Sequence, residues 1–167
     1  TFPANMVALN HGRPEMLKLR DFVEAFIKFR EEVITRRTIF ELGKARDRAH
    51  ILAGLAVAVA NIDEVIAIIR NAPNPAEAKE KLLGQRWPSK DIAPLIELVD
   101  DPEYPLHEDK TYQMSETQAK AILDLRLHRL TGLERDKIGN DLNEITEAIA
   151  EYLSILADRE KRLTLLK

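Results

Sequence analysis

Proline placement constrains this chain more than any other feature. The eight prolines are Pro3, Pro14, Pro73, Pro75, Pro88, Pro94, Pro102 and Pro105, so none falls between residues 15 and 72 and none follows 105. A proline inside a helix removes a backbone hydrogen bond and costs about 3 kcal/mol. Two long proline-free blocks around a proline-rich middle therefore predict two long helices joined by an irregular head. The composition agrees. Leu, Ala, Ile, Glu, Lys and Arg dominate, glycines number six and aromatics make up 5%. That is an alphabet for helices rather than for a sandwich or a barrel.

Residues 1–19 read as strand, turn, strand: Asn5-Met-Val-Ala-Leu9, a turn at Asn10-His-Gly-Arg-Pro14, then Glu15-Met-Leu-Lys-Leu19. A first long helix is expected over 20–70. Phe22, Phe26, Phe29 and Val33 lie along one face. The register then shifts to a stripe of Leu42, Ala45, Ala49, Leu52, Ala56 and Val59, continuing to Ile62, Ile66 and Ile69. A return helix over 133–167 carries Ile138, Leu142, Ile145, Ile149, Tyr152 and Leu156, then Arg159, Leu163 and Leu166. Steps of three and four make both stripes coiled-coil seams. The intervening head, 71–132, has room to reverse direction, so the pairing is expected to be antiparallel. At ~1.5 Å per residue the return arm reaches about 50 Å and an unbroken first helix about 75 Å. That mismatch leaves the first half of the long helix to pack on something else. The expected fold is mainly α: a long antiparallel coiled coil capped by a small helical head, with a short β-hairpin at the N-terminus.

Within the head, Asn74-Pro75 reads as an N-cap followed by proline at the first helical position, with Gly84 closing that helix. A short helix is expected over Asp91–Val99, and an acidic, solvated loop over 100–113. Ser115-Glu-Thr-Gln118 is a capping box that opens a helix over Ala119–Leu130, and Thr131-Gly-Leu-Glu134 is a second one that starts the return arm. Ile122, Leu123, Leu125, Leu127 and Leu130 are apolar on more than one side. A helix apolar on several sides is buried on several sides, and in a head this small one side is expected to meet a second copy.

Chemistry is sparse. No cysteine is present, which removes disulfides and thiolate sites. His11, His50, His107 and His128 do not pair at metal-ligand spacing, and no glycine-rich phosphate loop or Gly-x-Ser-x-Gly occurs. No residue presents itself as catalytic or metal-binding. The net charge of -3 does not mark the whole chain as a nucleic-acid binder, but Lys28, Arg30, Arg36, Arg37, Lys44, Arg46 and Arg48 face only four acids between 28 and 48. This is either a salt-bridged helix surface or a cationic rim for a phosphate backbone, in which Arg30, Arg36, Arg37 and Lys44 face DNA without reading its sequence. No apolar run approaches the ~20 residues that span a bilayer, so no membrane partner is expected. The opening Thr1, without a basic leader, reads as the start of an excised fragment.

Several stretches then resemble the A subunits of bacterial DNA gyrase, a family of type IIA topoisomerases. They are Asn5–Leu9, Glu32–Leu42, Lys44–Leu52, Asn61–Ile66, Gln118–Leu127 and Leu130–Glu134, and the likeness covers essentially the whole chain. Arg37-Thr-Ile-Phe-Glu-Leu42 and Leu130-Thr-Gly-Leu-Glu134 look more like gyrase than like the related A protein of topoisomerase IV, which shares the plan. The resemblance implies the end of the tower (1–19), the coiled-coil arms (20–70 and 133–167) and the C-gate, or exit-gate, head (71–132). It implies a cytoplasmic enzyme that cuts one duplex at a tyrosine, passes a second through and releases it by a lower gate, supercoiling DNA negatively. ATP and magnesium would act through the B subunit of an A2B2 complex. The cutting tyrosine, its arginine, the winged-helix domain and the wrapping domain are not among these residues. The resemblance therefore implies a non-catalytic module with no cofactor of its own, acting on double-stranded DNA within the parent. Two copies would meet through a self-complementary patch of Met114, Ile122, Leu125, Leu127, Leu130 and Leu133, burying ~1,600 Å² if of standard size. For each of these an internal core role stands as the alternative. Arm flexing would be placed at Gly43, Gly54 or Gly132. Other readings are the equivalent topoisomerase IV module and an unrelated antiparallel coiled-coil scaffold.

Overall fold

The computed structural model of the chain describes residues 6–10, 12–90, 92–99, 103–124 and 132–165. The fold is mainly α with a hairpin at its N-terminal end, and one helix is 42 residues long. The chain divides into two compact units, residues 1–41 with 152–167 and residues 42–151.

The first unit begins with β1 (Met6–Asn10) and β2 (Arg13–Leu17), paired antiparallel with Met6 opposite Leu17 and Asn10 opposite Arg13. Gly12, at φ +79°, turns the chain in the left-handed region that a side chain disfavours. Helix α1 (Leu19–Ala60) follows, and its residues up to Glu41 belong to this unit. The Phe22, Phe26 and Phe29 face is exposed, Phe26 to 58%, and lines an open groove of about 730 Å³ with Leu9 and Leu17. The unit is completed by the end of α6 (Gly132–Ala157) and by α7 (Arg159–Thr164). The return arm is thus two helices rather than one. Asp158 leaves helical geometry and its carboxylate accepts from the Glu160 N–H, capping α7. The last carbonyls of α6 are satisfied by Arg162, whose Nη1 donates to Leu156 O at 2.6 Å and Ile155 O at 3.1 Å.

In the second unit, α1 stops at Ala60 and α2 (Ile62–Asn71) leaves at 90° to it. The single helix expected over 20–70 is therefore broken, and Ile62, Ile66 and Ile69 do not extend the α1 stripe. Asn61 is the cause. Its side-chain amide donates to Val57 O at 2.9 Å and to Pro88 O at 3.0 Å, so it closes the helix and ties the bend to the next strand. Helix α3 (Pro75–Gly84) begins as its sequence predicts, with the Asn74 side chain accepting from the Glu77 N–H and proline at N1. Next come β3 (Arg86–Pro88), α4 (Ala93–Val99), β4 (Thr111–Gln113) and α5 (Glu116–Asp124). Strands β3 and β4 pair antiparallel with Trp87 opposite Tyr112. The expected acidic loop thus contains a short strand, because Trp87 and Tyr112 each bury a large ring in the same core. That core joins Ala53, Val57, Val65, Leu82, Trp87, Ile92, Ile96, Tyr112, Met114, Ala119 and Ile122. The Trp87 indole finds its partner in Leu82 O at 3.1 Å.

Candidate functional site: a buried polar clamp and the expected gate residues

On α1, Leu42, Ala45, Ala49 and Leu52 are buried, while Ala56 and Val59 are half-buried. On α6, Leu142 and Ile149 are buried and Ile138, Ile145, Tyr152 and Leu156 are half-buried. Each stripe is therefore the apolar face of its helix, at the spacing a seam requires.

The expected gate patch divides. Met114 and Ile122 are each 2% exposed and packed into the core of the second unit. They take the core role that stands as the alternative to a gate contact. The reason is local: Met114 follows β4, whose Tyr112 is itself in the core, and Ile122 faces inward from α5. Leu125, Leu127 and Leu130 lie outside the described residues, as does the side chain of Leu133. Of the cationic residues, Arg30, Arg36, Arg37 and Lys44 are all exposed, and Arg36 pairs with Glu32 one turn earlier.

Pattern reading missed the polar centre of the second unit. At its middle is Gln118, fully buried on α5. Its Nε2 donates to the backbone carbonyl of His50 on α1 at 2.6 Å and to the Tyr112 hydroxyl on β4 at 2.8 Å. Its Oε1 accepts from the Ser115 N–H at 2.9 Å, while Ser115 Oγ accepts from the Gln118 N–H at 3.2 Å. This is the reciprocal capping box that the sequence predicts, but with one end carried across to another helix. Both amide protons and the amide oxygen are satisfied, as a buried amide requires. Gly54 makes the approach possible: a Cβ there would sit 2.5 Å from Gln118 Cγ. Gly54 is therefore a packing glycine in this structure rather than a hinge. Gly43 has nothing within 4 Å of such a Cβ.

Beside the clamp, His50 Nε2 and Ser115 Oγ are 2.6 Å apart, sharing a hydrogen bond whose direction follows the imidazole tautomer. The His50 ring lies against Tyr104 with centroids 5.1 Å apart. A recess of about 510 Å³ opens there, lined in part by Arg46, Asp47, Tyr104 and Glu116. The spacing is that of a nucleophile and a base, yet Ser115 is buried and its oxygen already caps α5, with Thr117 Oγ1 a further 2.9 Å away. The pair fastens the start of α5. At the same end, Lys79 on α3 donates to Glu116, and this hydrogen bond holds the Glu116 carboxyl below its ordinary pKa. Among the described residues, no three His, Asp or Glu side chains converge as around a metal ion.

The first unit holds a second polar junction. Arg159 Nε and Nη2 reach both carboxylate oxygens of Glu31 at 3.0–3.3 Å, and Arg162 Nη2 lies 3.5 Å from Glu31 Oε1. The Arg159 hydrogen bonds chiefly, with charge from Arg159 and Arg162, lower the Glu31 pKa below the usual carboxylate value. Arg159 occupies a stripe position in the sequence, and that polar exception was the one available sign of a partner there.

The family of DNA gyrase and topoisomerase IV A subunits matches residues 1–167 of the chain. The sequence is 50% identical over 167 residues to the DNA gyrase A protein of Granulibacter bethesdensis, and 48% identical over 167 residues to that of Rickettsia bellii. Each match covers 100% of this chain and 18% of the relative. The DNA gyrase A protein of Aeromonas salmonicida is 47% identical over 176 residues, covering 100% of the chain and 19% of that protein. The chain thus spans less than a fifth of the length of these relatives.

Proposed function

We propose an exit-gate role for this chain, which belongs to the family of DNA gyrase and topoisomerase IV A subunits. The reading is a non-catalytic module that holds two gyrase A proteins together below the DNA gate and parts to release the transported duplex. The parent would be an ATP-dependent, DNA-supercoiling type IIA topoisomerase of the bacterial cytoplasm. ATP and magnesium would act through the B subunit, and double-stranded DNA would be the substrate. The relatives named gyrase favour supercoiling over the topoisomerase IV alternative.

One observation carries the reading. The family of DNA gyrase and topoisomerase IV A subunits matches the chain over residues 1–167, and the sequence carries the apolar segment Leu125-Arg-Leu-His-Arg-Leu130. Leu125, Leu127, Leu130 and Leu133 remain the proposed contact with a second copy. The exposed Phe22, Phe26 and Phe29 face would be covered by other parts of the longer protein. Arg30, Arg36, Arg37 and Lys44 would offer the passing duplex a sequence-independent contact. Sedimentation of the 167-residue chain at tens of micromolar tests the proposal. A dimer that Leu127→Glu converts to monomer is expected, and a parent chain that is strictly monomeric would overturn it.

A further inference from the structure

We infer that the break between α6 and α7 is a two-state switch of helix continuity, kept broken by the Glu31 carboxylate acting through Arg162. All the residues concerned lie in the first unit, and nothing in the device depends on the exit-gate reading. The local sequence does not call for a break. Ser154-Ile-Leu-Ala-Asp-Arg-Glu-Lys-Arg-Leu-Thr164 holds neither glycine nor proline, and most of its residues are good helix formers. Without those two residue types, a sharp kink arises where a side chain inserts into the backbone ladder. Arg162 does so here. In an unbroken helix, Ile155 O and Leu156 O would accept from the N–H groups four residues on, those of Arg159 and Glu160. Instead Arg162 Nη1 donates to both carbonyls, the Glu160 N–H is taken by the Asp158 carboxylate at 2.8 Å, and Asp158 sits at φ -109°, ψ 115°. Backbone bonds are thus exchanged for side-chain bonds, so hydrogen bonding alone favours neither state strongly. Charge tips the balance. The Arg162 and Glu31 side chains are only 16% and 17% exposed, and a guanidinium kept there without its carboxylate is strongly destabilising. Arg159 grips the same carboxylate from its solvent side with Nε and Nη2. While Glu31 is charged and paired, Arg162 stays inserted and the helix stays broken. Once that charge is lost, Arg162 turns to solvent, the ladder closes, and α6 and α7 become one helix. A packed element with two discrete arrangements is what conformational switches are built from.

The test reads the backbone at Asp158 in the isotopically labelled 167-residue chain by NMR. Three variants are compared with the parent. Arg162→Met keeps the length of the side chain and removes the inserted group, Glu31→Gln keeps the shape and removes the charge, and Arg159→Ala, at a side chain 67% exposed, removes only the outer grip. In the parent the Asp158 Cα shift is expected off the helical side of its random-coil value. In Arg162→Met and Glu31→Gln it moves to the helical side, and the Arg159 and Glu160 amides exchange about tenfold more slowly as they join the ladder. Arg159→Ala falls between, with both states populated. If Arg162 merely caps α6, its loss frays residues 155–157 and leaves Asp158 as it was, which would overturn the inference. A helical Asp158 in the parent would overturn it too, as would a helix that fuses in Arg162→Met yet stays broken in Glu31→Gln. If Arg162→Met does not fold, Glu31→Gln and Arg159→Ala decide by the same shift at Asp158.

Discussion

Gly54→Ala is the sharpest perturbation the structure offers. The new methyl carbon would lie 2.5 Å from Gln118 Cγ, 2.7 Å from its Cβ and 2.8 Å from its Cδ. Contacts that short force the side chain to move, and the distal amide is held by three bonds, so movement breaks some of them. Overpacking of this kind costs about 1–3 kcal/mol. A buried group left without its partner adds about 1–3 kcal/mol. Against this, alanine is the better helix former by about 1 kcal/mol. The net expectation is a loss of about 1–5 kcal/mol, which for a chain of this size lowers Tm by about 2–20 °C. The matched control is Gly43→Ala on the same helix, exposed and with nothing within 4 Å of the added carbon. Only the propensity term acts there, so Tm is expected to rise by about 1–4 °C. The chain's one tryptophan, Trp87, is fully buried in the core that contains Gln118, so its fluorescence follows the relevant unit directly. If Gly54→Ala raises Tm as Gly43→Ala does, the packing role assigned to Gly54 is wrong and a hinge there returns as an open question.

Further outcomes follow from other contacts. Asn61→Ala removes the bonds to Val57 O and Pro88 O and is expected to cost about 1–3 kcal/mol in urea unfolding followed at Trp87; no change would mean that the bend is set elsewhere. Glu31→Gln removes a carboxylate whose folded pKa lies below its unfolded value of 4.5. Such a group stabilises fully above the unfolded pKa, and the effect fades as pH falls through the lower folded value. The Tm gap between parent and Glu31→Gln is therefore expected at pH 7 and should vanish in strong acid, and a gap independent of pH would count against the ion pair. Charge reversal at Arg37 and Lys44 together is expected to weaken duplex binding at low salt and to flatten its salt dependence. Binding by the parent that ignores salt would refute the cationic-rim reading.

Much of the framework is written locally. Asn74-Pro75 sets a helix start because an N-cap and a proline at N1 act through their own backbone. Ser115-Glu-Thr-Gln118 does the same, and the hairpin around Gly12 needs only its turn. The apolar stripes on α1 and α6 follow from helical spacing alone. What periodicity could not show depends on partners distant in sequence. Asn61 interrupts an otherwise continuous stripe because Pro88, 27 residues on, gives its amide an acceptor. Met114 and Ile122 go inward because Trp87 and Tyr112 assemble a core beside them. Gln118 reads as an ordinary capping-box residue, and nothing near it in sequence announces that its side chain reaches His50, 68 positions earlier. Arg159 gave a clue as a cation on an apolar stripe, but the identity of its partner, Glu31, is a matter of three-dimensional structure.

The right-angled departure of α2 from the end of α1 makes a crank of that corner. A helix of ten residues is about 15 Å long, so turning the last coils of α1 about their own axis by about 10° would sweep the far end of α2 sideways by about 2.5 Å. A straight continuation would merely spin in place. Within the second unit, rotation of the last coils of α1 would thus be felt as a sideways displacement of α2, and Asn61, bonded to both Val57 and Pro88, couples that corner to β3.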